Sequence, residues 1–364
     1  MIRFESVSKT YPDGTTAVED LDLEVPTGSL TVFVGPSGCG KTTSMRMINR
    51  MVEPTAGRIL VDDEDIADTP TVRLRQSMGY VLQGAGLFPH RTALDNAATT
   101  LRLTGMSRAQ ARTRARDALR LVRLRPELDD RFPPQLSGGQ QQRVGVARAL
   151  AADPPVLLMD EPFSAVDPVV RAELQAELLH LRRTLSQTIV FVTHDIDEAL
   201  LLGDRIAVFG PGGTIHQCAE PQTILERPAD AFVAQMVGRD RGFRSLGFQP
   251  DRLHIHPLGR ADEQGAVTAP GESPPVDAPP SPGPGAEPWR LQLDAEGRPL
   301  AWLRAGSRVP AGDGHTAGAG LRSALDAVLA SPAGAAVVVD EGRAVGWIER
   351  RTVLAALADP ANRP

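Results

Sequence analysis

A short glycine-rich segment, GPSGCGKT, occupies residues 35–42. It fits the pattern G-x-x-x-x-G-K-[ST] and lies between an apolar segment and a predicted helix. In that setting backbone N–H groups curve around a phosphate, Lys41 bridges two phosphates and Thr42 holds Mg²⁺. Lysine occurs only twice in the chain against 37 arginines, so background composition does not explain Lys41. The segment predicts a site for ATP and Mg²⁺.

The loop and the residue after it supply the first set of candidate nucleotide ligands. We interpret the Cys39 thiol as a small space-filling group and not as a redox centre. The chain has one other cysteine, Cys218, and two thiols are too few for a disulfide framework, which indicates a reducing compartment. The candidates are Gly35, Pro36, Ser37, Gly38, Cys39, Gly40, Lys41, Thr42 and Thr43.

Two adjacent carboxylates follow the apolar segment VLLM. Asp160 should lie at the carboxyl edge of a sheet, where it can hold Mg²⁺ directly or through water. Glu161 is the candidate general base for a water that attacks the terminal phosphate. A strand followed by Asp-Glu could also be a simple helix N-terminus, but the phosphate loop upstream favours the catalytic interpretation.

Two further polar side chains end predicted strands. His194 follows TIVFVT and could hydrogen-bond the terminal phosphate and the attacking water. Gln83 follows GYVL and is the candidate to contact Mg²⁺ and that water while its loop meets a partner protein. A lone histidine is more often structural, but its position behind a strand like that of Asp160 favours a catalytic role.

The elements that must position these residues form an α/β pattern. Residues 1–30 have the alternation of short strands around turns, which predicts an antiparallel opening. The later apolar strands are separated by helical stretches, so the central sheet should be largely parallel with helices on both faces. The stretch 92–150 is predicted to be helical throughout and to form a separate lobe.

A second region follows a linker. Residues 270–288 contain eight prolines, a composition that cannot form a packed core. Beyond it, residues 291–306 are echoed by 337–351, with paired aspartates, glycines and tryptophans at an offset of 45 or 46. We interpret this as an internal repeat in a small α+β domain.

Composition and charge narrow the function further. The first residues alternate apolar and polar types, which does not fit a signal peptide, and the apolar runs of about four residues are too short to span a bilayer. The net charge of −6 argues against general nucleic-acid binding. Residues 102–131 nevertheless carry nine arginines, which are expected to form a solvated helix face, with RNA or acidic lipid as the alternative.

At LSGGQQQRVGVARAL, residues 136–150, the chain resembles the ABC (ATP-binding-cassette) family. The order GPSGCGKT, VLQ, LSGGQ, VLLMDEP, SAVD, VTHD is similar to that family over about residues 1–240. A Ser-Gly-Gly run that opens a helix is physically a second anion site. That site comprises Ser137, Gly138, Gly139 and Gln140.

The resemblance implies a homodimer that sandwiches two ATPs between the phosphate loop of one chain and the Ser137 loop of the other. It implies that Tyr11 stacks on adenine and that Asp167 ends a loop linking the two sites. The segments VLQGAGLFPHRTALDNA (residues 81–97) and VTHDIDEAL and the stretch after Asp167 are similar to osmoprotectant importer ATPases for glycine betaine, choline or carnitine. The repeat is similar to the paired cystathionine-β-synthase (CBS)-type modules that those ATPases carry.

The expected domains are therefore a cassette at 1–240, a degenerate first CBS part and linker at 241–288, and a CBS-type regulatory domain at 289–360. The expected partners are a membrane permease and a solute-binding protein, with the ATPase bound peripherally at the cytoplasmic face of the membrane and no nucleic acid. Two alternatives stay open. One is an importer for another polar solute, such as a polyamine or amino acid, and the other is a soluble ABC protein acting on ribosomes or DNA.

Overall fold

The computed structural model divides the chain into two compact units, Met1–Gly238 and Arg239–Pro364. It describes residues 1–164, 166–182, 186–238, 244–248, 253–259, 266–268, 288–304, 306–312 and 314–358. The proline-rich stretch predicted as a linker lies outside the described residues, except for Pro288.

The first unit opens with strands that bury part of their side chains, as at Ile2, Phe4 and Val7 of the first strand, with a register shift between Phe4 and Val7. Its elements, in chain order, are β1 (Ile2–Thr10), β2 (Thr16–Val25), β3 (Leu30–Val34), α1 (Lys41–Ile48), β4 (Ala56–Val61), β5 (Glu64–Asp65), α2 (Thr71–Gln76), β6 (Met78–Val81), α3 (Ala93–Ala97), α4 (Thr99–Leu103), α5 (Arg108–Leu121), α6 (Gly138–Leu150), β7 (Val156–Asp160), α7 (Pro168–Arg182), β8 (Thr188–Thr193), α8 (Ile196–Leu202), β9 (Arg205–Phe209), β10 (Ile215–Ala219), α9 (Pro221–Glu226) and α10 (Ala231–Val237). Strands β2, β1, β4 and β5 pair in that order as the predicted antiparallel sheet.

The central sheet has the order β10-β9-β3-β8-β7-β6. Strands β9, β3, β8, β7 and β6 are parallel, and only the edge strand β10 is antiparallel to its neighbour. Every residue of β3, β7 and β8 is buried, as expected for strands covered on both faces. The largely parallel sheet is therefore confirmed, and its strands deliver their carboxyl ends to one edge.

The lobe predicted over residues 92–150 is only partly helical. Helix α5 packs an alanine and leucine stripe at helical spacing, Ala111, Ala115 and Leu119, into the main core. Between α5 and α6 the chain forms loops and two short 3₁₀ turns at Pro126–Leu128 and Pro133–Gln135. The expectation of continuous helix was wrong there, because proline starts each turn and cannot donate the backbone hydrogen bond of a helix interior.

Part of the arginine cluster is paired and not merely solvated. Arg112, Arg116 and Arg120 lie four residues apart along α5. Arg112 forms an ion pair with Asp95, while Arg116 and Arg120 both face Asp129. These three side chains thus fasten α5 to α3 and to the loop before α6.

In the described part of the chain, no helix combines the length and apolar character needed to cross a bilayer.

The second unit contains two four-stranded sheets among its described residues. Their orders are β11-β18-β17-β16 and β12-β13-β14-β15. The elements are β11 (His256–Pro257), β12 (Ala266–Thr268), β13 (Arg290–Leu293), β14 (Pro299–Arg304), β15 (Ser307–Pro310), β16 (His315–Thr316), α11 (Leu321–Ala330), β17 (Ala335–Asp340), β18 (Arg343–Glu349) and α12 (Arg350–Ala358).

The sequence repeat corresponds to two β-hairpins, β13–β14 and β17–β18. The matching glycines, Gly297 and Gly342, both turn with φ near +80°. The matching tryptophans, Trp302 and Trp347, are buried in one core with their rings stacked at 5.9 Å. Helices α11 and α12 flank the second hairpin, whereas the described residues between the first hairpin and β16 contain only β15.

Candidate active site

The glycine-rich loop joins β3 to α1 and folds around the ammonium of Lys41. This group is buried and donates to the carbonyl oxygens of Gly35 and Pro36, at 2.8 Å each. Gly40 has φ +97°, and a Cβ there would lie 2.4 Å from the oxygen of Ala17, so only glycine fits.

The remaining loop candidates line the same turn. Pro36, Ser37 and Gly38 are exposed at its rim, while Thr42 and Thr43 are half-buried at the start of α1. Cys39 is a buried free thiol with its sulfur 3.7 Å from Lys41 Nζ. The loop therefore presents backbone to solvent and keeps its cation directly behind that backbone.

Asp160 ends β7 next to this loop, and both of its carboxylate oxygens are engaged. Thr42 Oγ1 donates to Oδ1 at 2.9 Å, and Arg46 Nη2 and Tyr80 OH approach Oδ2 at 3.0 and 3.2 Å. Burial raises the pKa of Tyr80 to about 12, so its hydroxyl stays protonated and donates. A carboxylate that is only 2% exposed is thus fully hydrogen-bonded.

Glu161, the next residue, turns the chain sharply out of the sheet. Its φ is +42°, a left-handed conformation that costs a non-glycine residue about 1–3 kcal/mol and that only surrounding contacts can sustain. Its N–H donates to the oxygen of Val192 in β8, and Ser164 Oγ donates to its carbonyl at 2.9 Å. These contacts fix the carboxylate beside the ends of β7 and β8.

Two other predicted side chains, those of His194 and Gln83, approach the Glu161 carboxylate. His194 Nδ1 lies 3.3 Å from Glu161 Oε2, and Gln83 Nε2 lies 3.4 Å from the same oxygen. Gln83 Nε2 also lies 3.4 Å from Ser164 Oγ. His194 and Gln83 are exposed, so this group of side chains is open to water and to a ligand at the loop.

The buried carboxylate of Glu198 stabilises the turn that carries His194. Thr193 Oγ1 donates to Glu198 Oε2 at 2.6 Å and accepts from the N–H of Asp195 at 3.0 Å. Gln175 of α7 donates to the other oxygen of Glu198 at 3.1 Å. Burial raises the pKa of Glu198, and these donors stabilise its charge.

The Ser137 segment opens α6 with a capping box. Gln140 N–H donates to Ser137 Oγ at 3.3 Å, and Ser137 N–H donates to Gln140 Oε1 at 3.0 Å. Gly138 is open to solvent, whereas a Cβ on Gly139 would lie 2.3 Å from Val170. Within the described residues, no hydrogen bond or ion pair joins this segment to the Lys41 loop of the same chain.

Tyr11 and Asp167 occupy separate positions. Tyr11 follows β1 and lies 5.3 Å beneath the ammonium of Lys9, measured to the ring centroid. Asp167 precedes α7, and its Oδ1 accepts from the N–H of Val169 at 2.9 Å. The structure thus brings together Thr42 with Asp160, and Glu161 with His194 and Gln83, while Tyr11, Asp167 and the Ser137 segment lie apart.

Comparison with known proteins identifies the family. A family model described as ABC transporter matches residues 18–164. The glycine betaine uptake system ATP-binding protein YehX of Escherichia coli is 48% identical over 72% of this chain and 85% of that protein. The chain belongs to the ABC transporter family of ATP-binding proteins.

Two further comparisons give the extent of the similarity between this ABC protein and known proteins. The choline transport ATP-binding protein OpuBA of Bacillus subtilis is 51% identical over 70% of this chain. The match spans 66% of OpuBA, slightly less than two thirds of its length. The dimeric ATP-binding cassette MJ0796, bound to ADP and phosphate, has a TM-score of 0.56 and 33% identity over 61% of this chain and 99% of that chain.

Several residues that support the site in this ABC protein escape sequence reasoning. Arg46 and Tyr80 hold Asp160, and Glu198 holds the His194 turn. One signal was present, because Arg46 follows Thr42 by four residues and so lies on the same face of α1. Tyr80 had no such signal, since its partner depends on the pairing of β6 with β7.

Proposed function

We propose that this chain is the ATP-hydrolysing subunit of an ABC importer that takes up a quaternary amine such as glycine betaine, choline or carnitine. The observation that supports hydrolysis most strongly is the meeting of His194 and Gln83 at the Glu161 carboxylate. This group lies directly after Asp160, whose partner Thr42 closes the phosphate loop. The arrangement suits phosphoryl transfer, in which positioning and charge stabilisation provide most of the catalysis.

The donor set fits Mg²⁺, which prefers hard oxygen ligands. Thr42 offers a hydroxyl, Asp160 a carboxylate and Gln83 an amide oxygen, and the first two lie 2.9 Å apart. Mg²⁺ bound with ATP would neutralise part of the phosphate charge. Lys41 would exchange its present carbonyl partners for phosphate oxygens, because its ammonium already lies inside the loop.

Glu161 would act as the general base. It would accept a proton from a water whose oxygen attacks the terminal phosphorus, while the bond from that phosphorus to the ADP oxygen breaks. His194 and Gln83 would orient this water and the phosphate, since both already approach Glu161 Oε2. The left-handed backbone at Glu161 supports the role, because such strain concentrates at functional positions.

The Ser137 segment would serve the nucleotide of a second copy. It opens a 13-residue helix with an exposed glycine, a suitable end for an anion, yet it makes no hydrogen bond to its own phosphate loop in the described residues. A homodimer would let Ser137, Gly138, Gly139 and Gln140 complete the partner's site. Tyr11 would stack on adenine, and Asp167 would lie between the two sites.

The quaternary-amine assignment is supported by the relatives named for choline and glycine betaine transport. A permease and a solute-binding protein would supply the membrane path and the solute recognition. The chain would then act at the cytoplasmic face of the membrane as a peripheral subunit.

The tail would form a regulatory part of the subunit. We assign 1–240 to the cassette, 241–288 to a degenerate first CBS part with its linker, and 289–360 to a CBS-type domain. The two matching hairpins support a duplicated origin. The helices that flank only the second hairpin, among the described residues, support degeneration of the first copy.

The direct test of hydrolysis is Glu161→Gln in the full-length chain. ATP binding should persist, measured with a fluorescent analogue, while turnover falls on the order of 10²-fold, because the base is lost and the shape is kept. The control is Glu127→Gln, an exposed carboxylate that should have no effect. Near-normal turnover by Glu161→Gln would remove Glu161 from the base role.

The solute is tested separately, in vesicles that contain a permease and a solute-binding protein with which this chain assembles. Glycine betaine or choline should stimulate ATP hydrolysis, whereas a polyamine or an ordinary amino acid should not. The opposite pattern would overturn the quaternary-amine assignment and leave the ATPase assignment standing.

A further inference from the structure

The turn after Gln83 has an unusual backbone. Gly84, Ala85 and Gly86 have φ values of +69°, +63° and +53° in succession. Ala85 carries a side chain in this left-handed region, which is unfavourable without external support. Two backbone hydrogen bonds lie within this segment. The Ala85 N–H donates to the carbonyl oxygen of Leu82, and the Gly86 N–H donates to the carbonyl oxygen of Gly84. A conformation of this kind requires contacts from a neighbouring element.

Arg148 of α6 supplies those contacts. Its Nη2 donates to the oxygen of Ala85 at 2.9 Å, and its Nη1 donates to the oxygen of Gly86 at 2.7 Å. The planar fork of arginine suits two adjacent carbonyl groups, whereas the ammonium of lysine would reach one of them well.

The environment of Arg148 is unusual for a cation. The residue is 8% exposed, and burial lowers the pKa of its guanidinium. Among the described residues, no carboxylate lies within ion-pairing distance of it, unlike Arg143 five residues earlier, which pairs with Glu177. Within the described part of the chain, the buried guanidinium is hydrogen-bonded to the carbonyl groups of one turn and has no carboxylate partner; this is costly for the fold, so its placement there needs an explanation.

Gly145 lies on the face of α6 that carries Arg148. It precedes Arg148 by three residues and so lies on the same helix face. A Cβ on Gly145 would lie 3.3 Å from the oxygen and 3.5 Å from the Cβ of Ala85. Glycine therefore lets α6 approach the turn closely enough for the Arg148 fork to reach both carbonyls.

We propose that Arg148 is a positioning residue for Gln83. It fixes the backbone turn at residues 84–86. That backbone turn holds the Gln83 amide beside Glu161 and Ser164. The expected effect on ATP turnover rests on the proposed hydrolytic function. The role of Arg148 in fixing residues 84–86 does not depend on that function.

Helix α6 also connects Arg148 to the Ser137 segment. Helix α6 begins directly after Ser137 and reaches Arg148 near its other end, about 15 Å away at a rise of about 1.5 Å per residue. The Ser137 end of α6 and the Gln83 turn are therefore connected through one helix and one side chain.

The test compares Arg148→Lys, Arg148→Gln and Gly145→Ala in the full-length chain. The control is Arg114→Gln, since Arg114 is an exposed arginine of α5. Amide hydrogen exchange is measured over residues 82–88 and over α5, and kcat and KM for ATP are measured in parallel. Arg148→Lys is conservative in charge, and Gly145→Ala leaves Arg148 intact, so a failure of Arg148→Gln to fold still leaves two informative variants.

We expect exchange over 82–88 to rise about tenfold or more in Arg148→Lys while exchange in α5 is unchanged, because a charge-assisted bond to a strained turn is lost. The kcat should fall about tenfold with KM for ATP within about twofold, since the loop that binds phosphate is untouched. Gly145→Ala should show the same pattern more weakly, and Arg114→Gln should show none of it.

Two outcomes would overturn the proposal. One is unchanged exchange over 82–88 in a folded Arg148→Lys variant, and the other is a uniform rise across the whole chain, which a purely structural role would produce. Glu161→Gln is assayed beside these variants. If it keeps normal turnover, the hydrolytic assignment fails, while the exchange result still decides the role of Arg148.

Discussion

Arg46 donates from Nη2 to Oδ2 of Asp160 across 3.0 Å. Thr42, one helical turn earlier on α1, donates to the other oxygen of the same carboxylate. One face of one helix therefore holds both oxygens of Asp160, and Tyr80 adds a second donor to Oδ2. This explains how a carboxylate at the end of a fully buried strand keeps its orientation.

Removal of that cation should destabilise the fold. Arg46→Met should lower the free energy of unfolding by about 1.5–3 kcal/mol, because Asp160 is buried and loses a charge-assisted hydrogen bond. Arg58→Met removes an exposed ion pair with Glu5 and should lower the free energy of unfolding clearly less, because solvent screens exposed charges. Urea denaturation without nucleotide measures both values, and equal losses would show that the Asp160 contact has no special weight.

Adenine stacking on Tyr11 predicts a graded response to substitution. Tyr11→Phe should keep ATP affinity within about twofold, whereas Tyr11→Ala should lower it about tenfold, since a base stacked on an aromatic ring contributes about 1–3 kcal/mol. Titration with a fluorescent ATP analogue separates the two variants. Equal affinity in Tyr11→Ala and the unchanged chain would leave Tyr11 as a plain residue at the end of β1.

The placement of the candidate side chains at one edge of the sheet could be predicted from the sequence to a large extent. Asp160 ends a buried parallel strand, Glu161 and His194 follow such strands, and strand ends of this kind meet at one edge. Their supports could not be predicted in the same way. Arg148 meets the Gln83 turn only after α6 packs beside it, and Tyr80 meets Asp160 only after β6 pairs with β7.

The prediction for residues 92–150 shows where local patterning fails. The prediction of helix holds for α5, but the region after Leu121 still contains enough apolar residues to suggest more helix. Pro126 and Pro133 each start a short 3₁₀ turn there. The intervening loop is then held by ion pairs between α5 and Asp129, which a helical pattern does not reveal.

The core of the tail predicts a local effect with a functional readout. Trp347→Ala removes half of the stacked pair with Trp302 and should destabilise the second unit by about 3–5 kcal/mol. Val345→Ala, at an exposed position of the same strand, is the matched control. Hydrogen exchange over 335–349 measures the loss.

The same two tail variants test regulation. Cassette ATPase activity should persist in Trp347→Ala, while its dependence on salt concentration should differ from that of Val345→Ala. An identical salt response in both variants would reduce the tail to a structural appendage.

The central claim is that each active site combines the Lys41 loop of one chain with the Ser137 segment of another. A mixture of Lys41→Ala and Ser137→Arg chains measures this directly, because each variant alone should be inactive. In mixed dimers one site carries both defects and the other carries neither. ATPase activity should therefore return to about a quarter of the unchanged level, as half of random pairs are mixed and each has one intact site. No recovery from well-folded chains that form mixed dimers would contradict the claim.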